Sequence, residues 1–345
     1  LPMDSGPMAF FYNKEVFDKA GVDAEQIKTW DQYYDAAKKI HALGDNYYIT
    51  SDTGDAGFFD SMTWLAGAKP FQTSSDGSEV TVNLTEDKGV KTFTDFWQKL
   101  LDEGLLDTKT AGWSEDWFKG MVDGTIASLF TGAWMPANLA NSAADGAGKW
   151  RVTQMPTADG STTNSENGGS SLAIVKSDDK AKVAAAYKFM EYACHDAEGI
   201  KTRVDGGAFP ADYATLNSAD FLDKTTITND RGIEIPYFGG QEYNRVLSQA
   251  AENVSTGYQY LPFEVYARSD FRTTVGKAYK WSSLLRKEQN RLNIIAAGGQ
   301  VSDTSNIGDA LKNTESSDRI KLKGGIALWQ KDLKEYGANQ GFTIQ

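Results

Sequence analysis

FKGMVDGTIASLFTGAWMPANL, residues 118–139, reads as a short helix, a strand, a tight Gly-Ala corner and a tryptophan delivered just before a second helix. Gly124 closes the first helix, residues 125–130 make the strand, and Pro136 takes the first helical position, where its missing N–H costs nothing. Trp134 therefore sits where a strand ends and a helix begins, the place where open α/β sheets put their ligand sites. On local pattern alone the indole has two readings: a ligand platform, or a core aromatic plugging the strand end, since Trp is usually well buried.

Toward the N-terminus, MAFFY (8–12) follows an Asp-Ser-Gly-Pro turn and reads as a buried strand. TWDQ (29–32) is a capping box that opens a helix with Trp30, Tyr33, Tyr34, Ala37 and Ile40 on one face and Gly44 as its stop. Residues 47–50 form a strand, and the loop SDTGDAGFFD (51–60) leads into a helix carrying Met62, Trp64 and Leu65. Phe58, Phe59 and Trp64 cluster at that junction as core or as cleft lining. Residues 73–83 suggest an exposed hairpin, and residues 86–103 an amphipathic helix on Val90, Phe93, Trp97, Leu100 and Leu101 ended by Gly104. Ser114 caps the acidic start EDWF of the next helix.

Toward the C-terminus, residues 150–155 are strand-like, and TADGSTTNSENGG (157–169) is a loop without an apolar anchor. SSLAIVK (170–176) reads as a buried strand, and Asp178 opens a long alanine-rich helix to His195. A shorter helix runs toward Val204 and stops at Asp205-Gly206-Gly207. Helices follow over 241–254, 269–297 and 325–336, with the connector GGQVSDTSNIGD (298–309) reading as flexible because it buries nothing. There is no internal repeat and no heptad seam.

A chain of 345 residues, 40% hydrophobic and 24% charged, predicts two domains with real cores. The net charge of −12 argues against nucleic acid or anionic lipid as partner, since both need concentrated Lys and Arg. No apolar run approaches the ~20 residues that span a bilayer, and the opening LPMDSGPM has no signal-peptide pattern. Cys194 is the sole cysteine; it ends an apolar stripe with Val183, Tyr187 and Met190 and reads as a buried small hydrophobe. His41 and His195 are too few for a zinc site or a Ser-His-Asp machine, and no cofactor is expected. Nine Trp, fifteen Tyr and seventeen Phe exceed what a core of this size requires.

Several ordered stretches resemble one family, the extracellular solute-binding proteins of ABC importers, in the carbohydrate-binding branch similar to maltose-binding protein. LPMDSGPMAFFYNKEVFDKAGV followed by TWDQYYDAAKKI resembles the family's proline-turn, strand, Tyr-Asn-Lys and capped-helix run. FKGMVDGTIASLFTGAW resembles its glycine turn, small-residue strand and Gly-x-Trp; GGSSLAIVKSDDKAKVAAAYKFMEY resembles its crossover strand and helix; LWQKDLKEYGANQGFTIQ looks like its closing helix.

The resemblance implies a two-lobed α/β fold of the type II periplasmic-binding-protein kind that closes by hinge bending, as a monomer outside the cell, periplasmic or held by a lipid anchor. Its partners would be a sugar or oligosaccharide and the transmembrane subunits of an ABC permease, with no catalysis. Members normally carry a strand-rich segment ahead of the proline turn, which is not in this sequence. Most of the first lobe is therefore expected to be missing, with residues 1–172 and 236–345 forming the second lobe and 173–235 the crossover and part of the first. By resemblance Trp134 would stack on a sugar ring. Asp4, Ser5, Gly168, Gly169, Ser170, Asp205, Gly206 and Gly207 would supply polar or backbone contacts, and Trp64 would line the cleft. Against this, Asp4 and Asp205 can simply cap turns and the glycines can simply bend the chain. Two rival functions stay open: a carbohydrate-active enzyme with carboxylates paired about 5–9 Å apart, and a binding protein for a non-sugar solute.

Overall fold

The computed structural model describes residues 1–299 and 321–345. From residue 300 onward the 298–309 connector lies outside the described residues. The chain is mixed α/β and divides into two compact units. The first comprises Leu1–Lys28, Phe118–Pro156 and Ser161–Val254; the second comprises Thr29–Trp117, Thr157–Gly160 and Ser255–Gln345. Among the described residues no helix is long and apolar enough to cross a membrane.

The first unit is built on Met8–Asn13, which lies between Ser128–Gly132 and Trp150–Thr153 and runs antiparallel to both. Every residue of this central strand is buried. That explains why MAFFYN shows no polar alternation: a strand covered on both faces reads as a continuous apolar run. Phe10 meets Phe130 edge-on at 5.2 Å, and Leu247 and Ala250 of helix Tyr243–Glu252 are fully buried in the same unit. The strand before the corner begins and ends later than the sequence pattern indicates, at Ser128–Gly132 and not 125–130, because pairing Met8 with Gly132 carries the ladder to the corner itself.

Two expectations in this unit fail. SSLAIVK is not a buried strand: only Ser170–Ser171 pair, with Pro2–Asp4, both are exposed, and Val175 is 86% exposed. An apolar run reports the need for a sheet, and the one partner it has here is three residues long. Cys194 is half-buried, because Met190 is the one buried residue of helix Lys180–His195 while Tyr187, Phe189 and Tyr192 stand in solvent.

In the second unit the TWDQ box forms as read: the Thr29 hydroxyl accepts from the Gln32 N–H and the Gln32 side chain accepts from the Thr29 N–H, opening helix Trp30–His41. Its Trp30 stacks on Phe96 of helix Lys88–Glu103 at 4.8 Å and 15°. Phe59, Phe93, Phe271 and Trp329 complete an aromatic core of edge-to-face and tilted pairs. The 47–50 strand shrinks to Thr50–Ser51, parallel to Leu106–Asp107. The 73–83 hairpin is less exposed than expected: Phe71–Thr73 and Glu79–Val82 join Thr343–Ile344 in one sheet that buries Val80 and Val82. The single helix expected over 269–297 is two, Glu264–Thr273 and Gly276–Ala296. Helix Leu322–Asn339 crosses there so closely that a Cβ on Gly325 would lie 2.8 Å from the Val275 Cα.

Candidate functional site

Trp134 sits in the first unit between strand Ser128–Gly132 and helix Met135–Ser142, as the sequence places it. It is half-buried, and its indole N–H donates to the Asn167 carbonyl at 2.7 Å. Three glycines from three separate stretches surround the pyrrole edge. A Cβ on Gly132 would overlap Nε1 and stand 2.6 Å from Asn167 O; one on Gly6 would lie 3.2 Å from Trp134 Cδ1; one on Gly168, at φ +90°, would lie 3.2 Å from Nε1. Backbone passes so close to the ring edge that a Cβ on Gly132 cannot be accommodated without a shift, which orients the indole by its edge.

The proline turn and the crossover are laced together beside this ring. Asp4 Oδ1 accepts from the Ser170 N–H at 2.6 Å, Ser5 Oγ donates to Glu166 Oε1 at 2.8 Å, and the Gly6 N–H donates to Glu166 Oε2 at 2.6 Å. Gly169, at φ +97°, runs past the Asp4 carbonyl and Ser5. Burial pushes the Glu166 carboxyl above its ordinary range, opposed by the Ser5 and Gly6 donors and reinforced by the nearby Asp4 charge. Glu166 is the residue that the sequence did not reveal. It lies in the loop without an apolar anchor, and the anchor proves to be polar: buried Asn164 donates to Met8 O and Ala250 O at 2.9 and 3.0 Å.

Asp205, Gly206 and Gly207 end helix Ala197–Asp205. Asp205 pairs with Lys201 and, at 3.9 Å, with Lys224. Its carboxylate is thus occupied on the surface of the unit. A cavity of about 500 Å³ in this unit is lined by Ala133, Pro136, Asp205, Gly207, Phe209 and Lys224, joining the Trp134 corner to the 205–207 turn. Phe209 O in turn accepts from the Ser5 N–H at 3.1 Å. Asp4, Ser5, Trp134, Gly168, Gly169 and Ser170 thus form one cluster, and Asp205 and Gly207 share a cavity with the corner residues.

Trp64 belongs to the second unit. It is 3% exposed and covered face to face by Tyr258, ring centroids 4.0 Å apart at 10°, with Tyr260 edge-on at 5.2 Å. The same unit holds a fully buried carboxyl, Asp52, which accepts from Gly54 N and Trp97 Nε1 at 2.8 Å each. Burial pushes its pKa up from 3.8 to about 6. Asp60 is likewise buried, raised by burial and by Glu264 and opposed by Arg268 at 3.5 Å. Among the described residues no group of three or more His, Cys, Asp or Glu is placed to hold a metal.

The family profile described as bacterial extracellular solute-binding protein matches residues 1–197. The arabinooligosaccharide-binding protein of Bacillus subtilis (strain 168) is 27% identical over 198 residues, 57% of this chain and 44% of that protein. The sn-glycerol-3-phosphate-binding periplasmic protein of Escherichia coli (strain K12) is 24% identical over 231 residues, 65% and 52% of the respective chains. The chain thus spans about half the length of these curated relatives. An ABC transporter associated binding protein from B. animalis subsp. lactis Bl-04, solved with beta-1,6-galactobiose, superposes with a TM-score of 0.83 at 60% identity, covering 100% of this chain and 74% of that one. With the profile spanning more than half of its length, the chain belongs to the bacterial extracellular solute-binding protein family.

Proposed function

We propose that this chain is the substrate-binding component of an ABC importer and binds a sugar or oligosaccharide reversibly, without catalysis, for delivery to a membrane permease. The observation that carries this reading is the locked edge of Trp134. With its N–H donated to Asn167 and its pyrrole edge against backbone, the half-buried indole is held in one orientation at a strand end, and a flat apolar ring so placed suits the C–H surface of a pyranose. Ser5, Glu166 and Asp4 beside it supply hydroxyl and carboxylate partners for sugar hydroxyls. The same two carboxylates disfavour a phosphorylated solute of the kind named for the Escherichia coli relative. The 60% identity to a galactobiose complex makes short β-linked galacto-oligosaccharides the first ligands to try.

The same reading holds the protein outside the cell, lipid-anchored or periplasmic, with most of a first lobe contributed by a segment not in this sequence. Two observations support the latter. Phe189 and Tyr192, three residues apart on one helix face, are 65% and 43% exposed, and the chain covers 74% of its galactobiose-bound relative.

The test is calorimetric and fluorimetric titration with β-1,6-galactobiose and a sugar panel, for the parent chain and Trp134→Ala. Loss of the ring is expected to cost on the order of 1–3 kcal/mol of binding. A folded variant that binds within about threefold of the parent overturns the assignment, and release of shorter products from an oligosaccharide overturns the non-catalytic reading.

A further inference from the structure

Strand Met8–Asn13 starts beside the Trp134 corner, where Met8 pairs with Gly132, and carries Tyr12 toward its other end. Tyr12 stands four residues beyond Met8, roughly 14 Å along the strand and well away from that corner. Its ring packs on Phe10 at 5.6 Å and on Phe17 at 5.3 Å, and the residue is only 5% exposed. Among the described residues its hydroxyl has no hydrogen-bond partner. A tyrosine buried this deeply normally gives its O–H a partner, so the phenol calls for an explanation.

Tyr12 lines a cavity of about 540 Å³ that the chain makes by folding back on the strand. Helix Lys14–Lys19 ends at Gly21, φ +65°, whose N–H donates to Asp18 O at 3.0 Å while the Val22 N–H donates to Phe17 O at 2.9 Å. That turn brings Val22, Asp23 and Glu25 to the same cavity as Tyr12 and Phe17. The one cation in the wall, Lys14, is already paired with both oxygens of Asp18 at 2.6 and 2.7 Å. Asp23 accepts from the Glu25 N–H at 3.0 Å with one oxygen; its other oxygen and the Glu25 carboxylate have no protein partner among the described residues. Arg151, opposite Tyr12 on the neighbouring strand, donates instead to Gly148 O and Trp150 O. Burial, then the Glu25 charge, pushes the phenol up from 10.0 to about 12, with Arg151 opposing and Asp23 and Asp18 adding. The hydroxyl therefore stays protonated at neutral pH and keeps its lone pairs for a donor.

We propose that this cavity is a second binding site, for a primary ammonium ion on a short apolar stem, with Tyr12, Asp23 and Glu25 taking its N–H donors and Phe17 and Val22 its stem. Three acceptors on three residues match the three donors of a compact ammonium, whereas a guanidinium fork matches one carboxylate bidentately. A metal ion fits less well, since among the described residues no group of three or more His, Cys, Asp or Glu is placed to hold one. The site goes beyond the sugar reading and does not depend on it. The test is calorimetric titration of the whole chain with n-butylammonium chloride, and with tetramethylammonium chloride, which has the charge without the donors. Tyr12→Phe and Glu25→Gln are compared with the parent and with Glu198→Gln, an exposed carboxylate on helix Ala197–Asp205. The parent should bind n-butylammonium saturably and at least about tenfold more tightly than tetramethylammonium, with Glu198→Gln unchanged. Tyr12→Phe should weaken binding about fivefold and Glu25→Gln about tenfold. Tyr12→Phe removes a hydroxyl that has no protein partner to lose, so it should melt at or above the parent temperature, the reverse of what a structural role demands. Tighter binding of 1,5-diaminopentane than of Nα-acetyl-lysine amide assigns the site to a free amine, and the reverse order to a lysine side chain of a partner protein. Absence of saturation by about 10 mM n-butylammonium, or equal binding by the parent and both site variants, overturns the proposal and leaves the sugar reading as it stands.

Discussion

Gly132→Ala tests whether Trp134 is oriented by backbone contact. Gly132 does not occupy the left-handed region, so alanine meets no backbone penalty and the whole effect is steric. Its methyl would overlap Nε1, and would stand 2.6 Å from Asn167 O and 2.8 Å from Trp134 Cδ1. Neither neighbour yields cheaply. Asn167 O belongs to a backbone whose N–H donates to Gly6 O at 2.7 Å, and the indole is tied to that same carbonyl. Forcing a methylene-sized group into such a site costs about 1–3 kcal/mol, and breaking the indole hydrogen bond adds about 1 kcal/mol. The stiffer unfolded chain of the variant returns about 0.5–1 kcal/mol. The net expectation is a destabilisation of about 1–3.5 kcal/mol in urea unfolding, with Trp134 displaced and sugar binding weakened in the fraction that remains folded. Gly112→Ala is the control: it meets nothing within 4 Å and should stay within about 0.5 kcal/mol of the parent. A Gly132→Ala protein as stable as that control, with unaltered binding, would refute the claim that glycines set the ring.

Two further outcomes follow from buried carboxyls. Asp52, raised from 3.8 to about 6 by burial, contributes stability that is complete below about pH 4 and lost as pH rises through about 6. The difference corresponds to about 3 kcal/mol. Urea midpoints from pH 4 to 8 should therefore fall less steeply for Asp52→Asn than for the parent, and parallel curves would remove Asp52 as the cause. Glu166→Ala leaves the Ser5 hydroxyl and the Gly6 N–H without their acceptor and should cost about 1–3 kcal/mol, whereas Glu166→Gln keeps a partner for each and should cost under about 1 kcal/mol at pH 7. Since the Glu166 carboxyl is raised in the folded protein, its contribution is present at acid pH and lost toward neutrality, and Glu166→Gln should flatten that part of the pH dependence in thermal melts.

Much of the architecture is legible because it is local. A fully buried central strand has to be an apolar run, so MAFFYN identifies itself; TWDQ closes its hydrogen bonds within four residues; Pro136 and the glycines mark the corner at Trp134. What escaped detection depends on partners distant in sequence. The placement of Glu166 is decided by Ser5 and Gly6, and Tyr258 rather than any neighbour in sequence settles Trp64, left open between core and cleft lining, as a buried ring. SSLAIVK misled for a related reason, since apolar content measures demand for a sheet and says nothing about its supply. The positive φ of Trp113 is likewise invisible in the sequence, because neither periodicity nor composition reports a backbone angle. The adjacent Gly112 even points to the wrong residue for the positive value.

The stretches that carry the family resemblance acquire a physical meaning from this geometry. The glycine of Gly-x-Trp, the glycine of the proline turn and the first glycine of the crossover lie far apart in the chain, yet all three come up against the same indole edge: Gly132 against the ring itself, Gly6 against the Asn167 carbonyl that holds the ring's N–H, and Gly168 beside Nε1 at a positive φ. Such a signature conserves space around a ring; it does not by itself encode a ligand. On the proposed sugar-binding reading the Trp134 ring would contribute stacking and no donor, because its N–H is spent on Asn167, and stacking is indifferent to which hydroxyls a pyranose carries. Discrimination among sugars therefore falls to groups beside the ring with hydrogen-bonding capacity left over. On that reading Glu166 comes first: each of its carboxyl oxygens accepts one hydrogen bond from the proline turn and retains a second lone pair, so a sugar hydroxyl that reached it would meet a fixed acceptor beside a fixed apolar plane.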